Sequence, residues 1–162
     1  MEKLETEVLA LLKQDSRLTA DKIARSVGAT ESQVKSAIQG LEKRGVILGY
    51  TTLTDDSVMD GGIVEALIEV RVNPMYGRGF DAIAEEIYSF DQVKSLYLMS
   101  GGYDLAVFIE GKNLREVAAF VSEKLSVMDK VLSTATHFIL KKYKIGGELT
   151  VPSESKRLNI AP

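Results

Sequence analysis

The apolar residues of this chain follow two different spacings, and this change constrains the fold more than any other feature. Between residues 4 and 41 they recur every three or four positions, which is the period of an α-helix. From residue 64 to residue 72 they occupy every second position, which is the period of a half-buried β-strand. The chain is therefore expected to contain a helical N-terminal unit followed by a unit built on a sheet.

Capping residues divide the helical unit into three short helices. A polar cluster at residues 14–16 ends the first helix, and Thr19 is placed to cap the second. Gly28 supplies the turn between the second and third helices. Thr30 and Gln33 form a capping-box pattern at the start of the third helix, and Gly45 closes that helix. This arrangement is typical of a helix-turn-helix.

The composition changes again after the third helix. Residues from Val46 to Leu53 are rich in β-formers and predict a strand, and the polar, glycine-rich stretch that follows predicts a linker. The predicted organisation is a helix-turn-helix domain over residues 1–50, a linker strand and hinge over 51–62, a ferredoxin-like domain over 63–144, and an extended C-terminal arm over 145–162.

The remaining patterns of the second unit predict the order β-α-β-β-α-β. The strands are expected over residues 63–72, 93–99, 105–110 and 131–143, and the helices over 79–90 and 114–125. This order defines an α+β fold with a ferredoxin-like antiparallel sheet. Because both helices cover one face of the sheet, we expect the other face to pack against a second copy of the chain.

The composition excludes several classes of protein. There is no cysteine, and His137 is the one histidine, so disulfide scaffolds, thiolate metal sites and nucleophile triads lack their residues. We therefore expect no metal, no cofactor and no enzymatic activity. Glu2, Glu5 and Glu7 follow Met1 where a secretory signal would carry basic and then apolar residues. The sequence predicts a cytoplasmic protein without a membrane span.

Positive charge is concentrated in the helical unit. The first 50 residues carry eight lysines and arginines against seven acidic residues, whereas the rest of the chain is acidic on balance. The outward face of the third helix combines hydrogen-bonding side chains that could read base edges with cations that could hold phosphates. The candidates for DNA contact are Arg17, Lys22, Arg25, Ser32, Lys35, Ser36, Gln39, Lys43 and Arg44. The same pattern also fits a three-helix module that docks to proteins or is purely structural.

A polar turn joins the second and third predicted strands at one end of the sheet and is a candidate ligand site. Gly101 and Gly102 allow backbone amides to approach an anionic group, Asp104 could accept from an ammonium group, and Tyr103 could form a wall. An α-amino acid would satisfy both halves of such a site. The alternative is structural, since paired glycines also supply the backbone angles of a hairpin turn. His137 lies among apolar residues and is interpreted as structural.

Several stretches together resemble the Lrp/AsnC (leucine-responsive/asparagine-responsive, feast/famine) transcriptional regulators. They are Asp15–Thr19, Ile23-Ala24, Val27-Gly28, Val34, Leu41–Tyr50, Gly102-Tyr103-Asp104, and Thr134 with Thr136. The resemblance implies a regulator that binds double-stranded DNA as a homodimer, or as an octamer, formed through the C-terminal sheets. It also implies that an amino-acid effector binds between subunits near Gly101, Gly102, Tyr103 and Asp104. Thr134 and Thr136 add hydroxyl contacts if they are more than ordinary β-formers.

One stretch departs from the pattern of that family. The family usually places arginine where this chain has Ala37, and further basic residues where it has Gln39 and Gly40. This departure predicts loose DNA binding, an unusual DNA site or dependence on assembly. The alternative function is a metabolite-sensing or adaptor protein of the same fold whose helix-turn-helix domain binds DNA weakly or has lost DNA binding.

Overall fold

The computed structural model describes residues 2–55, 62–73 and 79–150. They divide into two compact units, with the boundary between Thr52 and Leu53. The first unit is made of helices and the second is built on a sheet.

Three helices form the first unit: α1 (Lys3–Gln14), α2 (Ala20–Val27) and α3 (Glu31–Lys43). Each helix turns one apolar stripe inwards, as the sequence period predicts. The shared core contains Val8, Leu12, Ile23, Ala24, Val34 and Ala37. Leu41 is also fully buried. Burial of these side chains, rather than helix propensity, stabilises such short helices.

The turn between α2 and α3 has the predicted chemistry. Gly28 ends α2 in the left-handed conformation with φ of 67°. Thr30 then begins α3 with a complete capping box, in which the Gln33 amide donates to Thr30 Oγ1 at 3.2 Å and the Thr30 amide donates to Gln33 Oε1 at 2.9 Å. Both capping bonds satisfy backbone or side-chain groups at the helix start. The predicted helix-turn-helix is confirmed.

The prediction of a strand over Val46–Leu53 is wrong. The segment has no regular secondary structure, and residues 51–55 of the expected linker strand have none either; residues 56–61 lie outside the described residues. Most of its apolar side chains are exposed, with Leu48 at 94%, and no strand of the described residues pairs with it. The Tyr50 hydroxyl instead donates to Glu42 Oε1 at 2.9 Å. Partial burial and this bond raise the pKa of Tyr50.

The second unit has the predicted α+β, ferredoxin-like order. Its elements are β1 (Val64–Val72), α4 (Asp81–Tyr88), β2 (Val93–Leu98), β3 (Leu105–Gly111), α5 (Leu114–Phe120) and β4 (Val131–Phe138). The four strands form one antiparallel sheet in the spatial order β2-β3-β1-β4. The two central strands, β1 and β3, are not consecutive in sequence, since α4 and the edge strand β2 lie between them in the chain. This is the split βαβ arrangement.

The two helices of this unit cover one face of the sheet. On β1, Ala66, Ile68 and Val70 are fully buried and pack with α4 and α5 side chains such as Ile87 and Val117. We call this the inner face. The outer face carries the alternate positions, and no helix of the described residues packs on it. Its apolar side chains include Leu67, Tyr97 and Phe108, with Tyr97 edge-on to Phe108 at a centroid distance of 5.9 Å.

Two elements end earlier than the sequence pattern predicts. The last helix leaves α geometry after Phe120 and continues as a π-helical turn over Val121–Leu125, which keeps Leu125 in the core. Strand β4 ends at Phe138 instead of Tyr143. Its last pair with β1 is Phe138 opposite Ala66, and the Ile139 amide makes one further bond, to the Glu65 carbonyl at 2.9 Å.

The expected C-terminal arm is also corrected over its first residues. Short strands β5 (Lys144–Ile145) and β6 (Glu148–Leu149) form a hairpin. Gly146 and Gly147 make its turn with φ of 55° and 98°, angles that glycine adopts without steric cost. Gly146 and Gly147 therefore form a hairpin turn and are not part of an extended arm. Residues 151–162 of the predicted arm lie outside the described residues.

Candidate functional site

The outward face of α3 presents the side chains that the helical period assigns to it. Ser32, Ser36, Gln39 and Lys43 are exposed, while Val34, on the opposite face, is fully buried. The exposed groups are short hydroxyls, an amide and an ammonium, which donate to and accept from base edges and phosphates. This surface has the chemistry of a recognition helix.

Ala37, where the family usually has arginine, is a core residue in the structure. Ala37 is only 8% exposed and packs in the core of the helical unit, so its side chain is not on the recognition surface. Gln39 is exposed and remains the residue of this stretch that can meet DNA. Gly40 lies beneath the side chains of Glu5 and Arg44, which run across this part of α3.

Most of the predicted phosphate-binding cations have a carboxylate partner within the helical unit. The exposed pairs are Asp15–Arg17 at 3.0 Å, Asp21–Arg25 at 2.7 Å and Glu31–Lys35 at 2.6 Å. Hydrogen bonding to Glu31 raises the pKa of Lys35, and bonding to Arg17 lowers the pKa of Asp15. Exposed pairs of this kind contribute little to stability. Their cations can therefore exchange a carboxylate for a phosphate at small cost.

Arg44 differs from the other cations because its partner is buried. Its Nη2 atom donates to Glu5 Oε1 at 2.8 Å, and Glu5 is 9% exposed. The Arg44 bond, with a second from the Glu2 amide, lowers the pKa of Glu5. The ion pair connects the C-terminal end of α3 to α1, so Arg44 has a structural role in the helical unit. Within residues 2–55, Lys22 and Lys43 form no ion pair and remain the predicted cations without a partner.

The turn between β2 and β3 is fixed to the end of β1 by Asp104. The Asp104 amide donates to the Val70 carbonyl at 3.1 Å, and Asp104 Oδ2 accepts from the Val72 amide at 2.9 Å. Gly101 has φ of 155°, while neither Gly101 nor Gly102 has an atom within 4 Å of the position of an added Cβ. The turn is thus held at one end and open above its glycines.

Arg71 belongs to the same cluster and was missed by sequence reasoning. It lies at the end of β1 on the outer face, and its Nε atom donates to the Gly102 carbonyl at 2.8 Å. In the sequence, Arg71 was one of three charged residues that alternate with the apolar residues of this strand. Its proximity to Gly102 depends on the pairing of β1 with β3, which local patterns do not give.

The structure does not bring the two threonines to this cluster. Thr134 pairs with Val70 and Thr136 with Ile68, and directly paired residues point to the same side of a sheet. Both threonines therefore point to the inner face, where Thr134 Oγ1 lies 3.4 Å from Ser126 Oγ. Asp104 precedes the inward-facing Leu105 and lies on the outer side.

His137 points the opposite way from the threonines, as the strand period predicts. It pairs with Leu67 on the outer face, and its Nε2 atom lies 3.3 Å from Glu69 Oε1. Among residues 2–55, 62–73 and 79–150, no group of three or more metal-ligating side chains is close enough to hold an ion. None of the helices in these ranges is long and apolar enough to cross a membrane.

Comparisons with known proteins agree with both units. Residues 1–47 match a family described as winged helix-turn-helix DNA-binding, and residues 65–149 match the Lrp/AsnC ligand binding domain. An uncharacterized HTH-type transcriptional regulator of Bacillus subtilis strain 168, YugG, is 47% identical over 160 residues, which are 98% of this chain and 96% of the relative. The relatives are transcriptional regulators, not enzymes.

Solved structures with the same fold cover nearly the whole chain. The leucine response regulatory protein LrpA of Mycobacterium tuberculosis has a TM-score of 0.73 and 19% identity, covering 93% of this chain and 100% of its own. The transcriptional regulator NMB0573 of Neisseria meningitidis, solved as a complex with L-Met, has a TM-score of 0.68 and 22% identity, covering 90% of this chain and 93% of its own.

A helix-turn-helix joined to a ferredoxin-like ligand-binding domain defines a DNA-binding transcriptional regulator. This chain belongs to the Lrp/AsnC family of such regulators.

Proposed function

We propose that this regulator is a cytoplasmic homodimer, able to assemble further to an octamer, whose DNA binding responds to an α-amino acid. The observation that carries the effector proposal is the Gly101–Asp104 turn, which is anchored by Asp104 and open above its glycines. The regulator NMB0573 of Neisseria meningitidis, which has the same fold, was solved with L-Met. That ligand supports an amino acid as the effector class.

The DNA-binding surface of the proposal is the exposed face of α3 with its flanking cations. Ser32, Ser36 and Gln39 are the candidates for base contact, because their side chains are exposed on the same face and can both donate and accept. Lys43 and Lys22 are the leading phosphate contacts. Arg17, Arg25 and Lys35 join them by exchanging their exposed carboxylate partners for phosphates.

The proposed dimer forms through the outer face of the sheet. That face carries Leu67, Tyr97 and Phe108, and within the described residues no helix packs on it. Apolar side chains on a sheet face are stabilised when a second sheet covers them. A symmetric dimer made in this way would place two helix-turn-helix units so that they bind two half-sites on DNA.

The effector controls DNA binding if it binds one arrangement of subunits more tightly than another. A ligand shifts an equilibrium between assemblies only by its difference in affinity for them. The Gly101–Asp104 turn borders the outer face that we assign to the dimer. A ligand held there could therefore favour one assembly, and with it one spacing of the DNA half-sites.

The decisive experiment is selection of genomic DNA fragments by the purified full-length protein. It is run at two salt concentrations, with and without a mixture of the twenty amino acids, and analytical ultracentrifugation of the same samples reports the assembly. We expect enriched palindromic fragments whose recovery changes with amino acids. Enrichment that ignores amino acids would overturn the effector proposal, while an absence of enrichment at low salt would overturn the proposed DNA surface.

A further inference from the structure

Arg71 and Asp104 are neighbours across the sheet and carry opposite charges. The ladder between β1 and β3 ends with Val70 opposite Leu105, so the next residues of the two strands are Arg71 and Asp104. Arg71 follows the inward-facing Val70 and Asp104 precedes the inward-facing Leu105, so the alternation of the strands places both on the outer side of the sheet. The pair therefore lies where the Gly101–Asp104 turn meets the outer face.

Each of these two side chains is held by one backbone hydrogen bond. Arg71 donates from Nε to the Gly102 carbonyl at 2.8 Å, which leaves both terminal guanidinium nitrogens available. Asp104 accepts the Val72 amide on Oδ2 at 2.9 Å, which leaves Oδ1 available. Such bonds fix the position of a charged group while its remaining donors or acceptors stay open to a ligand.

The two groups do not neutralise each other. Among the described residues, neither Arg71 nor Asp104 forms an ion pair with the other or with any other side chain. This contrasts with the helical unit, where most cations have a carboxylate partner. A fixed cation and a fixed anion side by side, each with unused hydrogen-bonding atoms, complement a ligand that carries both charges.

We propose that Arg71 is the residue that selects the effector by its carboxylate, while Asp104 binds the ammonium group of the same molecule. This inference rests on the proposed function, because it concerns the ligand of the Gly101–Asp104 turn. The planar guanidinium binds a carboxylate through two parallel hydrogen bonds, a geometry that lysine does not offer. The ligand class is therefore a zwitterion, and the site rejects amines that lack the carboxylate.

The open space above the two glycines is consistent with this assignment. An added Cβ on Gly101 or Gly102 would meet no atom within 4 Å, so the backbone of the turn is accessible from that side. In the proposed complex, a small zwitterion on Arg71 and Asp104 would lie beside this accessible backbone.

The test measures binding of a defined ligand panel to the full-length protein by isothermal titration calorimetry. The panel contains the twenty L-amino acids, the 2-oxo acids of valine, leucine, methionine and phenylalanine, and the four matching decarboxylated amines. The variants are Arg71→Gln, Arg71→Lys and the control Arg115→Gln. The control removes an exposed arginine on α5 of the same unit.

We expect at least one amino acid to bind, and Arg71→Gln to weaken it by about tenfold or more, since hydrogen bonds to charged groups are lost. Preference for the amino acid over its amine should disappear in Arg71→Gln, fall in Arg71→Lys and persist in Arg115→Gln. The preference is the deciding readout, because a merely distorted turn would weaken both ligands equally and leave their ratio unchanged.

The outcomes separate this inference from the proposed function. Amino-acid binding with an unchanged preference in Arg71→Gln would overturn the role of Arg71 and leave the amino-acid effector intact. Binding of 2-oxo acids alone, lost in Arg71→Gln, would support Arg71 as the carboxylate contact and overturn the amino-acid effector. If no carboxylate in the panel binds, both are overturned.

Discussion

Arg44, at the C-terminal end of α3, donates from Nη2 to the buried carboxylate of Glu5 on α1, at 2.8 Å. The bond links residues 39 positions apart in the chain. It therefore helps to fix the orientation of α3 relative to α1. Because Glu5 is largely buried, loss of its cation leaves a charge that water cannot fully solvate.

Arg44→Ala is expected to lower the thermal unfolding midpoint more than Arg17→Ala, whose partner Asp15 is more exposed. The pKa of folded Glu5 lies below its ordinary value of 4.5 because of Arg44. The stabilisation is therefore fully present above about pH 4.5 and is lost as the pH falls through the lower folded value. Calorimetric melts at pH 7 and at pH 3 measure this, and an equal effect of Arg44→Ala at both would contradict the pairing.

Gly40→Ala is expected to stabilise the helical unit by about 1 kcal/mol, because alanine favours a helix interior over glycine by roughly that amount. The added Cβ would lie 3.6 Å from Arg44 Nη1 and 3.8 Å from Glu5 Oε1, which are ordinary contacts. Urea denaturation measures the change. The control Gly45→Ala should destabilise, since Gly45 has φ of 66°. A loss of stability in Gly40→Ala would show that the Arg44–Glu5 ion pair does not accommodate the added methyl group.

Gly111→Ala is expected to destabilise the sheet unit by about 1–3 kcal/mol, the usual cost of overpacking a core. Its Cβ would lie 2.9 Å from Val117 Cγ2, and neither this branched side chain nor the α5 backbone beside it can move freely. Urea denaturation of Gly111→Ala is compared with that of Gly102→Ala, where the added Cβ has no neighbour within 4 Å. Equal stability of the two variants would refute the close packing of α5 on β3.

Lys43→Ala is expected to weaken DNA binding and to reduce the slope of log affinity against log salt by about 0.9, the amount for one phosphate contact. Fluorescence anisotropy with a selected DNA fragment at several salt concentrations measures the slope. Lys13→Ala is the control, because Lys13 is exposed in the last turn of α1, outside the proposed surface. If both variants keep the wild-type slope, Lys43 does not contact a phosphate.

Gly102→Val is expected to abolish effector binding while preserving the unfolding midpoint. The added side chain meets no protein atom at its Cβ but occupies the open side of the turn. Gly49→Val is a matched control, because Gly49 has equal space and lies in the other unit. Calorimetric titration with the responsive amino acid measures the affinity, and unchanged affinity in Gly102→Val would remove the turn from the site.

Local patterns predicted the elements whose formation depends on nearby residues. The Thr30 and Gln33 capping box and the buried side of α3 followed directly from residue type and period. The prediction of a strand at Val46–Leu53 was wrong because a β-forming composition does not by itself supply a partner strand. The end of β4 lies where its pairing with β1 stops, at Phe138 opposite Ala66, and this pairing involves another part of the chain.

The candidate site was predictable only in part for the same reason. The turn at Gly101–Asp104 is local, and its glycines and carboxylate are visible in the sequence. Arg71 reaches Gly102 across 31 positions through strand pairing. Thr134 and Thr136 share a face, as their spacing predicts, but the choice between the two faces depends on their pairing with Val70 and Ile68. Register, rather than residue type, decided which side chains meet.

The carboxylate partners of Arg17, Arg25 and Lys35 affect how the protein encounters DNA. Opposite charges a few ångströms apart largely cancel beyond a Debye length, which is about 8 Å at physiological salt. The helical unit therefore exerts little attraction on a distant duplex, and its arrival is governed by diffusion and orientation rather than by electrostatic steering. In the proposed complex these charges become effective only at contact, when a phosphate replaces a carboxylate. We therefore expect the protein to remain briefly on unrelated DNA and longer on the fragments that it selects.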